Sequence, residues 1–214
     1  MASLLLNAGY LLLLINLLLL IKGFTRNGKA FQLFCLYIAA MFVIQAVTEI
    51  LRLRNMENLW VSHFYFIVQF ILLSLFYREL LPAMSQKKMI SGMLGVIPAA
   101  IACSFIADPA LLHKFNLFEI GITSCSVIFY NILYFKELLS KKKAFFLINT
   151  GLLIYLLGST LLFLAGNYMA SLSSGINTWI WLVNALLYIL YQFSVLAECI
   201  GILFQKKLLI RSHG

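Results

Sequence analysis

Residues 4–29, LLLNAGYLLLLINLLLLIKGFTRNGK, decide the class of this chain. Positions 4–21 carry no charge and are mostly leucine, close to the ~20 residues a helix needs to cross a ~30 Å hydrocarbon core. Lys22, Arg26 and Lys29 follow at once. No Lys or Arg precedes the apolar run, so the positive start of a cleaved signal peptide is missing. The expected element is a retained helix with its N-terminus outside and its cations held in the cytoplasm.

The pattern recurs along the chain. Six further apolar runs lie at 31–51, 59–77, 89–107, 115–135, 145–166 and 177–204. Arg52 and Arg54 follow the second run, Arg78, Lys87 and Lys88 the third, and Lys114 the fourth. Lys136 and Lys141–Lys143 follow the fifth, none follows the sixth, and Lys206, Lys207 and Arg211 follow the seventh. Only Arg52, Arg54 and Lys114 of the 16 basic residues fall on one side of a seven-span zigzag. By the positive-inside rule that side is external. The expected fold is all-α: a polytopic seven-transmembrane-helix bundle over residues 1–214, N-terminus outside and C-terminus cytoplasmic.

Composition agrees. Hydrophobic residues make up 63% of the chain and charged ones 11%, with a mean hydropathy of +0.99, whereas soluble domains are nearer half apolar. The net charge of +9 is spread over the cytoplasmic-side connections, as attraction to anionic headgroups requires. Membrane lipids are therefore the expected partner, and nucleic acid is not. No connection is longer than about a dozen residues, so no extramembrane enzyme or ligand-binding domain is expected. Whatever the protein does should occur within the bundle, at its rims, or through another chain.

Cys35, Cys103, Cys125 and Cys199 all sit within the runs, with no CxxC spacing and no nearby His, so neither a metal site nor a disulfide framework is indicated. Pro82 and Pro109 lie in connections, and Pro98 should kink the fourth span. A sugar-transporter plan of two three-helix repeats would want a proline-bearing helix in each repeat, and the chain offers only Pro98, in the linking span. Trp60, Trp179 and Trp181 mark the outer boundary as an interfacial belt.

Polar groups at membrane depth are costly and face a bundle interior or a cavity. Glu49 shares a face with Gln45, Thr48 and Arg52 at helical spacing. His63 opens the third span; Gln69, two turns deeper, shares a face with Ser62 and Tyr65. Glu119 aligns with Thr123, Ser126 and Tyr130. In the seventh span Asn184, Tyr188, Tyr191, Gln192 and Glu198 form a stripe across the membrane. With the N-terminus outside, Glu49, His63, Glu119 and Asn184 fall in the outer half, where Tyr65 and Gln69 can reach them. Polar groups from several helices at one depth are how a bundle builds a ligand site. The candidate ligand-binding set is Glu49, His63, Tyr65, Gln69, Glu119, Asn184 and Tyr188. The bland alternative is helix-bridging hydrogen bonds for Asn and Gln and a solvated end charge for Glu198.

No HExxH, GxSxG or histidine-rich pattern occurs, so no catalytic set, metal ligand set or cofactor is assigned. A hydrolase built on Glu119 and His63 would need both to converge on one water. Retinal chemistry lacks its lysine in the seventh span. In the sixth, FFLINTGLLIYLLGSTLLFLAGNYM (145–169), Gly151, Tyr155, Gly158 and Ala165 follow one face and should let a neighbouring helix approach closely.

Three segments together resemble a family. LWVSHFYFIVQFILLSLFYREL (59–80), INTGLLIY (148–155) and TWIWLVNALLY (178–188) are similar to those of small, uncharacterised seven-transmembrane proteins of Bacteroidetes-type bacteria. The matching positions are His63, Tyr65, Gln69, Glu119, Asn149, Gly151, Tyr155 and Asn184. Gln69 stands where the family pattern has an acid, and Val183 where it has a His, which argues against shared acid–base chemistry. The resemblance implies the seven-helix fold, a bacterial inner membrane and a sensory role. The expected function is an integral membrane sensory or accessory protein. It would bind a small or lipidic ligand in an outward-facing pocket and signal through a separate cytoplasmic protein docked on Lys141–Lys143 and Lys206–Lys207. The rivals are an intramembrane lipid-active hydrolase, a small transporter or channel, and a purely structural subunit.

Overall fold

The computed structural model describes residues 2–114, 116–140, 144–169 and 174–211, with side chains for 5–114, 116–139, 144–164 and 178–202. Seven helices follow one another: α1 (Ala2–Gly23), α2 (Lys29–Leu53), α3 (Leu59–Leu80), α4 (Met84–Ala107), α5 (Leu117–Ser140), α6 (Phe146–Met169) and α7 (Ser174–Arg211). Short 3₁₀ turns cover Phe24–Arg26 and Pro109–His113, and no strand occurs among the described residues. All seven helices are long and apolar enough to cross a membrane. The protein is an all-α, multi-pass membrane protein. The apolar runs match the helices closely except in α7, whose 38 residues would reach about 57 Å. Its apolar stretch is only Thr178–Ile202, and the helix continues through QKKLLI (205–210) because those residues are good helix formers. Helix α4 runs on through Pro98.

The chain divides into two compact units, Met1–Asn27 with Leu138–Gly214, and Gly28–Glu137. In the first unit α7 packs against both α1 and α6. The glycines of α6 face α7, as their spacing requires. A methyl group on Gly151 would lie 2.5 Å from Ser194 Cβ, and one on Gly158 2.5 Å from Leu187 Cδ1. Between these close approaches Tyr155 stacks on Tyr191 with centroids 5.5 Å apart and planes within 11°. The pairs step in opposite directions, so α6 and α7 are antiparallel. Contact this close is what holds helices together where lipid offers no hydrophobic drive. The side chain of Ala165 lies outside the described residues.

Helix α6 begins without a local cap, since the preceding KKKAFF (141–146) has no Ser, Thr, Asn or Asp. Glu198 of α7 supplies one. Its carboxylate accepts from the N–H of Phe145 at 2.9 Å and of Leu147 at 2.7 Å, pairing amides that a helix start leaves open. Phe145 itself holds φ at 68°, a region a bulky residue rarely enters. Glu198 is a structural acceptor rather than a solvated end charge.

In the second unit α2 and α3 form a hairpin whose turn is specified residue by residue. Asn55 adopts φ 54°. Its N–H bonds to the carbonyl of Arg52 at 3.1 Å, and the N–H of Met56 to that of Leu51 at 3.0 Å. This pair of bonds is the Schellman closure, in which Asn is one of the few residues that accept the left-handed position. The contacts Lys29–Glu79, Phe34–Phe76 and Tyr37–Gln69 then step in opposite senses along the two helices and fix their register.

The rest of this unit is read the same way. His63 meets Glu119 near the starts of α3 and α5, and Tyr77 meets Tyr130 and Tyr134 near their ends. The two helices are therefore parallel and in register. Helix α4 runs against both, placing Phe105 beside His63 and Met93 beside Tyr130.

Candidate ligand site

His63 is the fifth residue of α3 and Glu119 the third of α5. Asn116 precedes α5, and its Oδ1 accepts from the N–H of Glu119 at 3.2 Å while its carbonyl accepts from that of Ile120. This is an ordinary Asn cap, and it sets Glu119 in the first turn, facing α3. Thr123 donates to the carbonyl of Glu119 at 2.7 Å. Glu119 Oε2 then lies 2.6 Å from Nδ1 of His63. The short separation assigns a proton between them, with Nδ1–H donating to the carboxylate when the imidazole is neutral. The Phe105 ring packs against the imidazole in a T-shaped arrangement, with centroids 5.0 Å apart.

The pair is sealed. The side chain of Glu119 has no exposed surface and that of His63 only 5%. Nevertheless three polar atoms of this cluster have no protein partner among the described residues: His63 Nε2, Glu119 Oε1 and Asn116 Nδ2. Buried polar groups are otherwise nearly always paired. Three such atoms around one ion-pair-like contact make this cluster the strongest candidate site.

The other expected members are placed differently. Glu49 is gripped by Arg52 through both guanidinium branches on its own helix, with 28% of its side chain exposed. The α2–α3 register sets Glu49 level with the first residues of α3, about one turn short of His63. Gln69 is buried and donates to the Tyr37 hydroxyl at 3.3 Å. Tyr65 is half-buried with its ring edge-on to Phe66. Asn184 and Tyr188 belong to the first unit. There Asn184 is half-buried with Oδ1 unpartnered among the described residues, and Tyr188 packs edge-on to Tyr155 and against Gly9.

Of the seventh-span stripe, Gln192 accepts from Asn16 Nδ2 of α1 at 2.8 Å through its side chain and at 2.9 Å through its backbone carbonyl. With Glu198 committed to α6 and Tyr188 and Tyr191 packed on Tyr155, four members of the stripe serve helix packing. A further buried cluster was not singled out by sequence reasoning. Tyr77 shares a hydrogen bond with Asn131 and packs near Tyr130 and Tyr134, and Tyr130 donates to Met93 Sδ at 3.1 Å. The signal was present in matched stripes, 63/66/70/73/77 on α3 and 119/123/127/130/134 on α5.

No group of three or more His, Cys, Asp and Glu side chains among the described residues could hold a metal ion. Lys141–Lys143 and the side chains of Lys206 and Lys207 lie outside the described residues. No disulfide joins the four cysteines among the described residues; Cys35 and Cys199 are buried, while Cys103 and Cys125 are exposed. Compared with known protein families, characterised proteins and solved structures, the chain matches none.

Proposed function

We propose that this protein is a sensory or accessory component of a bacterial inner membrane, with its N-terminus outside and its C-terminus in the cytoplasm. It recognises a small or lipidic ligand at the His63–Glu119 pair and passes a helix rearrangement to a separate cytoplasmic protein. The observation that carries this reading is the sealed pair with open hydrogen-bonding positions on both partners. Such positions favour a ligand that completes them, and a ligand favours whichever helix arrangement it completes best. The parallel register of α3 and α5 supports the second half of the reading. Any shift at the pair is carried along both helices to the tyrosine cluster at their other ends, and the basic connections offer a docking place there.

The test is thermal stability of the detergent-purified protein against fractionated bacterial lipids and small polar metabolites. The expected result is a fraction that raises the unfolding temperature of the wild type and not of Glu119→Gln. If no fraction stabilises the wild type and no protein co-purifies with it, the reading fails.

A second reading has one observation in its favour. A carboxylate on Nδ1 with Nε2 left open is how a histidine is held as a general base. An intramembrane hydrolase acting on lipid esters would use His63 to take a proton from water, with Glu119 steadying the imidazolium. Lipid turnover by reconstituted wild type that disappears in His63→Gln would favour it over the sensory reading.

A further inference from the structure

The three open atoms constrain what the site can hold, and the inference rests on the ligand-binding reading above. Glu119 Oε1 accepts only, and Nε2 of a neutral His63 whose Nδ1 donates to Glu119 also accepts. These two atoms are no farther apart than one carboxylate, one hydrogen bond and one imidazole ring. The third atom, Asn116 Nδ2, is a donor on the turn that begins α5. The cluster therefore lacks a donor facing the His–Glu pair and an acceptor facing the asparagine. A hydroxyl beside a carbonyl supplies both.

Depth narrows the class. Helix α3 has 22 residues, about 33 Å, so it spans a ~30 Å hydrocarbon core with little to spare. His63 lies about 6 Å along it from Leu59. The pair thus sits within one helical turn of the level where acyl chains meet their ester linkages. The residues beside it in sequence face outward, Phe64 with 55% and Phe118 with 52% of their surface exposed. In a membrane these rings meet lipid. A ligand without negative charge suits this position, because an anion would leave water to sit beside the Glu119 carboxylate with no counter-charge.

We propose that His63, Glu119 and Asn116 bind the free hydroxyl and adjacent ester carbonyl of a partial glyceride. Glu119 Oε1 accepts from the hydroxyl, and Asn116 Nδ2 donates to the carbonyl. A diacylglycerol is the membrane source of this chemistry and a short-chain monoglyceride the soluble one.

The experiment measures thermal unfolding in nanodiscs containing dioleoylglycerol, its O-methyl ether or trioleoylglycerol, and in buffer containing monobutyrin. Dioleoylglycerol should raise the unfolding temperature by a few degrees, as a ligand well above its dissociation constant does, and the ether and the triglyceride should not. Glu119→Gln and Asn116→Ala should each reduce the shift. A diazirine-bearing diacylglycerol should label α3 or α5, a readout that does not depend on how stable the variants are. A shift with monobutyrin equal to that with dioleoylglycerol also supports the chemistry and assigns the soluble source. Equal shifts for the ether or the triglyceride overturn the proposal. So does the absence of any shift with dioleoylglycerol and monobutyrin; if another lipid fraction still stabilises the wild type, the broader ligand reading survives.

Discussion

Replacing Gly151 by alanine should change sign with the residue opposite it. A methyl group there would lie 2.5 Å from Ser194 Cβ and 2.6 Å from its Oγ, with the Tyr191 Cα next at 3.6 Å. The hydroxyl can rotate away, but the Cβ is fixed to the α7 backbone. Since carbon atoms rest at about 3.5–4.0 Å, α6 and α7 must part by roughly 1 Å. Overpacking of this kind costs about 1–3 kcal/mol, offset by the roughly 1 kcal/mol that alanine gains over glycine in a helix. Gly151→Ala should therefore destabilise the wild type by up to about 2 kcal/mol. In a Ser194→Gly background the obstructing Cβ is gone and the nearest atom lies at ordinary contact distance. The same substitution should then be neutral or stabilising by up to about 1 kcal/mol. Reversible unfolding in mixed micelles, followed by tyrosine and tryptophan fluorescence, reads all four corners of the cycle. Gly158→Ala is the control, because the atom it meets is the mobile end of Leu187. Equal effects of Gly151→Ala in both backgrounds would refute the close α6–α7 approach.

Three further outcomes follow from named contacts. Asn55→Gly should leave stability nearly unchanged, whereas Asn55→Val should cost about 1–2 kcal/mol in the same unfolding assay, because only the first accepts the left-handed turn. Asn16→Leu removes the donor to both oxygens of Gln192 and should cost about 0.6–1.7 kcal/mol, from the average to the maximum measured for interhelical hydrogen bonds in a membrane protein. Glu198→Ala should cost about 1–2 kcal/mol by uncapping α6, and hydrogen exchange should rise first at Phe145 and Leu147; uniform exchange across α6 would count against the cap.

The seven spans were legible because uninterrupted apolar runs have few alternatives in a chain of this composition. The close face of α6 was legible too, since Gly151, Tyr155 and Gly158 share one side at helical spacing. What could not be read was pairing between helices distant in sequence. His63 and Glu119 stood out singly, but their meeting depends on the register of α3 against α5 across an intervening helix. Matched stripes at 63–77 and 119–134 carry that register and show only when the two are laid side by side. Glu49 was grouped with them by depth alone, although Arg52 three residues on already favoured a local pair. Glu198 looked like an end charge because its partners are backbone amides; the sign was a helix start at Phe146 with no capping residue of its own.

The central claim is that His63 and Glu119 form one buried hydrogen-bonded pair between α3 and α5. Dipolar recoupling by solid-state NMR, on protein in bilayers carrying ¹⁵N histidine and ¹³C glutamate, measures this directly. His113 and Glu57 approach to 3.3 Å in the exposed connection, so the measurement is made in His113→Gln. Strong dephasing of a Glu carboxyl signal that persists in that variant, and vanishes when His63→Gln is added, is the predicted result. A signal that vanishes with His113→Gln alone would contradict the pair and the site built upon it.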